Sequence, residues 1–208
     1  MSEGRKACLI VLATRNRGKV VELRGLLVGL PVGLALLGDV ASATDIAEPF
    51  STFRENAAHK AVRAAHIGGE WALGEDSGLE VDALAGRPGV YSARFAGKGA
   101  PDEERIRLLL AMMSGVPEER RGARFRCSVA LAGPQGLLGQ WEGLSEGRIT
   151  TQPRGDGGFG FDPVFIARGM DRTNAELSSE EKNRISHRGQ AMRKLAQALP
   201  GILASAQA

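Results

Sequence analysis

The sequence predicts an α/β protein built on a mixed β-sheet, and three observations carry that prediction. Short apolar runs with β-branched residues are interleaved with longer segments in which apolar residues recur every three or four positions. One pair of runs, on either side of Gly133-Pro134-Gln135-Gly136, alternates apolar and polar residues as hairpin strands do, so one strand pair is antiparallel. The chain has 208 residues with 43% hydrophobic content, enough for one sizeable core in a single domain or in two closely packed lobes.

The elements follow in order. ACLIVLA (7–13) is a short apolar run that suits a buried strand. A helix then carries Val20, Leu23, Leu27 and Leu30 on one face until Pro31 stops it. VGLALLG (32–38) reads as a second strand, and STFRENAAHKAVRAAH as a helix that opens at Ser51 or Thr52 and ends at Gly68-Gly69. WALGEDSGLEVDAL is expected to be a short strand, a polar turn and a second extended piece, followed by the glycine- and proline-rich loop AGRPGVYSARFAGKGAP. Pro101 or Asp102 starts a helix with Ile106, Leu109, Leu110 and Met113 as its apolar stripe. The hairpin ARFRCSVALAGPQGLLGQWEG comes next, its second strand continuing past Trp141 toward Ile149. A glycine-rich loop, QPRGDGGFGFD, empties into a strand at Pro163. In the last segment Ser178 and Glu181 stand at capping-box spacing, and Ser186 is placed to cap a second helix whose first turn holds His187 and Arg188.

Composition narrows the function. No apolar run approaches the roughly 20 residues that span a bilayer, and MSEGRK lacks the apolar segment of a secretory signal, so a cytoplasmic protein with no membrane partner is expected. Cys8 and Cys127 both lie in strand-like apolar runs and read as buried reduced thiols. The net charge of +3 favours an anionic partner, but aromatics are 5% and the charges are scattered, which speaks against nucleic acid and for a small anionic ligand. There is no internal repeat, low-complexity tract or linker, and 1–208 reads as one domain.

The candidate chemistry is concentrated in a few stretches. The turn holding Thr14, Arg15, Asn16, Arg17, Gly18 and Lys19 joins a strand to a helix, a place where backbone N–H groups and the helix dipole favour an anion. It is not a Walker A loop, because Ala13 stands in place of the first glycine and Val20 in place of the magnesium-binding hydroxyl. Taken alone it reads more readily as a solvated turn than as a phosphate cradle. Glu75 and Asp76 are placed to hold a hard divalent cation and to activate a water, or else form an acidic turn. Glu48 is a second candidate ligand and Lys60 a candidate phosphate contact, each with an exposed surface position as the blander account. In GGFGFD (157–162) the rings of Phe159 and Phe161 are candidates to lie against a planar ligand, with core packing as the alternative for at least one. His187 and Arg188 offer donors to a base or a phosphate, or are simply surface residues behind a capping serine. There is no Ser/His/Asp triad spacing, C-x-x-C, H-E-x-x-H or G-x-G-x-x-G after a strand, so phosphate chemistry remains.

Five stretches in order, LATRNRGK, ENAAHKA, GEDSGLEVDALAGRPGVYSARFAG, GGFGFDPVF and EEKNRISHRGQA, resemble the signature segments of the inosine/xanthosine triphosphate pyrophosphatases. The resemblance covers about residues 9 to 199. It implies an elongated mixed sheet flanked by helices in two lobes with a central substrate cleft, usually as a homodimer. It also implies magnesium-dependent hydrolysis of non-standard purine nucleoside triphosphates to the monophosphate and pyrophosphate. By position, Thr14 to Lys19 correspond to the triphosphate cradle, with Asn16 and Lys19 as direct contacts, and Lys60 to a second phosphate-binding lysine. Asp76 corresponds to the proton acceptor and a magnesium ligand, Glu48 to the other metal-side carboxylate and Ser77 to a substrate contact. Phe159, Gly160, Phe161 and Asp162 correspond to the stretch flanking the purine, and Lys182, His187 and Arg188 to the group that reads it. The chain departs from the family pattern where Glu75 replaces a common aspartate and where Arg15 and Arg17 replace small or neutral residues. The first change keeps a carboxylate; the second adds charge beside the phosphates.

Overall fold

The computed structural model describes residues 8–40 and 46–205, so Ala7, the expected first residue of the opening strand, and the MSEGRK terminus lie outside the described residues. The strands are β1 (Cys8–Leu12), β2 (Val32–Leu36), β3 (Trp71–Val81), β4 (Gly122–Gly133), β5 (Gly136–Ile149) and β6 (Phe165–Ala167). The helices are α1 (Arg17–Leu27), α2 (Leu37–Val40), α3 (Phe53–Gly68), α4 (Asp102–Met112), α5 (Ser179–Ile185) and α6 (His187–Ser205). Among the described residues the strands form one sheet in the order β2-β1-β3-β4-β5-β6. β1 is parallel to β2 and to β3, and β6 is antiparallel to β5. β4 and β5 are neighbours joined through Pro134 and Gln135, a connection short enough only for an antiparallel hairpin. The sheet is thus mixed and the class α/β, as the alternation of elements predicts.

The chain divides into two compact units. One comprises Met1–Asp76, Ser128–Trp141 and Met192–Ala208, and the other Ser77–Cys127 and Glu142–Ala191. In the first, α3 buries Phe53, Asn56, Ala57, Lys60, Ala61, Ala64 and Ala65, a stripe at spacings of three and one along a single helical face. Its alanines pack with Val11, Ala13, Ala72, Ala130 and Ala132 in a core of small side chains. Small residues let backbones approach, and Gly74 completes the approach. A Cβ built on Gly74 would stand 2.5 Å from the Ala61 backbone nitrogen and closer still to the Ala57 carbonyl oxygen. Helix α3 therefore lies directly against β3, with no side chain between them at this point. Thr52 caps α3 by accepting from the Glu55 N–H at 3.2 Å, and Gly69, in the left-handed region at φ 66°, closes it.

In the second unit, Leu79, Val81, Leu109, Met113, Phe125, Ile149, Phe161, Val164 and Phe165 form an apolar core. Beside it the buried Arg121 guanidinium donates to the carbonyls of Ile149 and Thr150 (2.8 Å each), Met113 (3.0 Å) and Val116 (3.2 Å). That clamp fixes the exit of β5 at the point where the glycine-rich loop begins.

Five expectations are corrected. WALGEDSGLEV is one uninterrupted strand, not two pieces around a polar turn, because Glu75 and Asp76 are neutralised by partners in the interior and need no exit to solvent. Helix α1 ends at Leu27 and does not reach Leu30, since Gly29 takes φ 86° and reverses the chain into β2. Strand β2 stops at Leu36, where Asp39 accepts from the Leu36 N–H at 2.9 Å and starts the short α2. The stretch read as loop after β3 contains two 3-10 segments, Asp82–Leu84 and Gly89–Arg94, and Pro163 belongs to a 3-10 turn that precedes β6.

Replacing Gly74 by alanine should force α3 off the strand and cost about 2 kcal/mol or more, the range expected when a well-packed contact is overfilled. Gly38, whose added Cβ would meet nothing within 4 Å, serves as the control, with a Gly38→Ala change within about 0.5 kcal/mol. Urea denaturation of the two variants checks this, and equal midpoints would contradict it.

Candidate active site

The first unit gathers acids and cations around the middle of β3. Asp76 is 3% exposed and Glu75 1%. The Asp76 carboxylate accepts from Asn56 Nδ2 on one oxygen at 3.0 Å and has Lys60 Nζ 3.8 Å from the other. Lys60 itself is ion-paired to Glu48 and only 5% exposed, so the blander surface account of this lysine does not hold. The close approach of α3 at Gly74 is what brings Asn56 and Lys60 to Asp76. Asn56 also accepts from the Phe50 N–H (3.0 Å) and donates to the Phe50 carbonyl (3.1 Å), which ties the segment carrying Glu48 to the carboxylate. Sequence reasoning assigned Asn56 no role, although a lone amide among alanines on a buried helical face is the signal that finds it.

Burial pushes the Asp76 carboxyl above the ordinary carboxylate range, with Glu48 and Glu75 adding to the rise and Lys60 and Lys19 opposing it. Lys19 Nζ lies 2.8 Å from Glu75 Oε2, so the strand-to-helix turn and the acidic pair are joined by an ion pair whose carboxylate is buried. Within the turn, Thr14 Oγ1 accepts from the Asn16 N–H at 3.2 Å, and Asn16 Oδ1 accepts from the Lys19 N–H at 3.0 Å as the cap of α1. The Asn16 side chain is therefore a structural cap. Arg15, Asn16 and Arg17 are exposed, and Thr14, Gly18 and Lys19 are half-buried.

The donors here suit a hard cation. An ammonium sits against the oxygens of Glu48 and Asp76, and carboxylate oxygens are what magnesium prefers. Among the described residues no three His, Cys, Asp or Glu side chains converge into a closed metal cage. Magnesium fits such a half-built site, since it keeps waters and takes ligands from substrate phosphates.

The second unit gathers an aromatic ring and several cations. Phe159 has Lys182 Nζ 5.0 Å and Arg188 Cζ 5.4 Å from its ring centroid. Asp162, buried, accepts from Lys182 Nζ at 2.5 Å, from the Phe159 N–H at 2.8 Å and from Asn174 Nδ2 at 3.2 Å. Arg188 Nη2 donates to Ser77 Oγ at 2.9 Å. Ser186 caps α6 by accepting from the Gly189 N–H at 3.0 Å, which sets His187 and Arg188 in the first turn as its position predicts. His187 is buried, stacked on Phe125 with centroids 4.8 Å apart and planes 10° from parallel. Phe161 is a core residue, edge-on to Phe95 at 6.3 Å, and only Phe159 presents a ring to the cations. Cys127 is buried in β4 and Cys8 half-buried at the head of β1. No described helix is long and apolar enough to cross a membrane.

Known proteins carry the same arrangement of sequence and fold. Residues 10–198 match the profile of the Ham1 family. The chain is 49% identical over 185 residues to a dITP/XTP pyrophosphatase of Desulforamulus reducens, covering 89% of this chain and 92% of that protein. It is 51% identical over 187 residues to a dITP/XTP pyrophosphatase of Gloeobacter violaceus, covering 89% and 91%. The structure of a HAM1 protein from Coxiella burnetii superposes with a TM-score of 0.84 at 42% identity over 93% of this chain and 99% of that one. These matches agree with the resemblance drawn from the five motifs, and they span nearly the whole of both partners in each comparison. The chain belongs to the Ham1 family.

Proposed function

We propose that this protein hydrolyses non-standard purine nucleoside triphosphates, dITP and XTP among them, to the monophosphate and pyrophosphate with magnesium as cofactor. The observation that carries the reading is the buried Asp76 carboxylate, held by Asn56 and Lys60, with the Lys19–Glu75 pair on the neighbouring residue. A base that accepts a proton from water works best when its pKa is lifted toward the working pH, and burial lifts that of Asp76. Lys19, Lys60 and the N-terminal end of α1 supply positive charge for the polyphosphate. Glu48 and Asp76 would hold the magnesium ion, which when bound offsets charge developing on the leaving pyrophosphate.

The base is assigned to the second unit. The Phe159 face takes the purine ring, and Lys182, His187 and Arg188 offer donors to a six-keto oxygen. Facing the amino group of adenine, those donors lose their acceptor, and each buried unpaired donor costs about 1 to 3 kcal/mol. Asp162 and Ser77 keep Lys182 and Arg188 aimed before any nucleotide arrives. The same reading carries a homodimer and a cytoplasmic setting.

Incubating the purified protein and magnesium with inosine, deoxyinosine, xanthosine, guanosine and adenosine triphosphates, and identifying the products, tests the proposal. Pyrophosphate and monophosphate are expected, fastest from the inosine and xanthosine forms. Orthophosphate with diphosphate, or faster turnover of uridine or thymidine triphosphate, would overturn it. Salt-sensitive binding to RNA or DNA without turnover would favour a nucleic-acid module instead. Asp76→Asn should abolish turnover while nucleotide binding by calorimetry persists, and a fully active variant would remove Asp76 from its role.

The raised Asp76 pKa also gives a stability prediction in metal-free buffer. The folded protein keeps the Asp76 proton to higher pH than the unfolded chain does, so stability falls as pH rises from the unfolded value through the raised folded one. Asp76→Asn has no such titration. The denaturation midpoint of the parent relative to this variant should decrease from pH 4 toward neutrality, and a difference independent of pH would contradict the shift.

A further inference from the structure

The run Gly155–Gly160 carries four glycines and would be read from its letters as pliable, yet nearly every turn of it is tied down. The Arg154 N–H donates to the Pro163 carbonyl at 2.8 Å, the Gly157 N–H to the Ala175 carbonyl at 3.0 Å, and the Phe159 N–H to Asp162 Oδ2 at 2.8 Å. Those anchors belong to the loop or to the chain that follows it. One does not. The Gly160 N–H donates to Oδ2 of Asp102, the first residue of α4, at 2.6 Å, a short bond to a carboxylate oxygen.

This bond controls Phe159 through the peptide plane. The Gly160 N–H is part of the rigid amide that starts at the Phe159 carbonyl, and the Phe159 N–H is part of the amide before it. With one amide held by Asp102 and the other by Asp162, both backbone torsions of Phe159 are fixed, and the ring is aimed at the point where Lys182 and Arg188 meet it. Gly160 has φ 64° and open space around a would-be Cβ, so it is glycine for its torsion, which lets the N–H turn toward α4. The other Asp102 oxygen is ion-paired to Arg105, whose Nη1 donates to the Ala93 carbonyl at 2.5 Å. The carboxylate is thus set in direction before it receives the Gly160 N–H.

We propose that Asp102 is a positioning residue for base recognition, one that orients the Phe159 ring through the Phe159–Gly160 amide without touching the nucleotide. The proposal rests on the assignment of Phe159 to the purine. Its effect falls on the binding and choice of base, whereas attack by water depends on Asp76.

Two substitutions separate this role from a merely structural one. Asp102→Asn keeps an oxygen that accepts from the Gly160 N–H but gives up the Arg105 ion pair and the charge at the helix start; Asp102→Ala gives up all three. Steady-state kinetics on inosine and adenosine triphosphates, paired with amide exchange at Gly160 followed by NMR, read the outcome. Asp102→Ala should raise KM for inosine triphosphate by about tenfold, the scale of a modest misplacement in a binding site, and narrow the preference over adenosine triphosphate. Its kcat should stay within about twofold, because the chemical step is untouched. Gly160 exchange should quicken in Asp102→Ala, and Asp102→Asn, which keeps an acceptor but not the Arg105 pair that directs it, should fall between the parent and Asp102→Ala in both readouts. An unchanged KM in Asp102→Ala, or equal losses in both variants with kcat falling alongside, would overturn the proposal. A parent protein that turned over no inosine triphosphate would sink the functional reading instead, and Gly160 exchange would still show whether Asp102 holds the turn.

Discussion

The contact on which the rest depends is the direct packing of α3 on β3 at Gly74. Alanines at 57, 61, 64 and 65 leave the helix surface low, and the missing side chain at 74 lets the backbones meet. From that closeness comes the seat of Asp76. Asn56 and Lys60 lie on the same helical face as the alanines, so a helix that must bury the alanines must also bury an amide and an ammonium. An isolated buried charge costs many times what such a fold has to spare, and it persists only when paired and hydrogen-bonded. Asp76 and Lys60 meet that condition for each other, with Asn56 and Glu48 completing the set.

The same reasoning explains why two adjacent acids can stand in the middle of a buried strand. Glu75 is neutralised from the strand-to-helix turn by Lys19, and Asp76 from α3 by Lys60. Each cation thus has two duties: to hold a carboxylate in the resting protein and, in the proposed reaction, to meet a polyphosphate. In that proposal the two duties are compatible, because a divalent cation held by Glu48 and Asp76 would supply positive charge to the acids in place of part of what the ammonium groups give them. The second unit is built differently. There the cations are held by an acid, a hydroxyl and an aromatic face, and Arg121 locks the strand exit so that the glycine-rich run leaves from a fixed point.

Much of this was legible in the letters, for reasons that can be named. Helices α3 and α4, the hairpin and the Ser186 cap follow from local periodicity and capping chemistry, which act within a few residues. The run WALGEDSGLEV does not read as one strand because strand propensity penalises a central Glu-Asp pair, and the partners that neutralise the two acids, Lys19 and Lys60, lie outside any local window. Asn56 is hard to find in the letters for the same reason: its value lies in Phe50 and Asp76, which no local pattern links to it. Phe159 and Phe161 look alike in sequence, and only the fold distinguishes the ring in the core from the ring beneath two cations.

In the proposed reaction a water activated by Asp76 attacks the α-phosphorus and pyrophosphate leaves. Turnover of inosine triphosphate in water enriched in oxygen-18, followed by mass spectrometry of both products, tests it most directly. A single heavy oxygen in the monophosphate and none in the pyrophosphate is the expected result. Label in the pyrophosphate would mean attack at the β-phosphorus, and the roles given to Asp76, Lys19 and Lys60 would then be wrong.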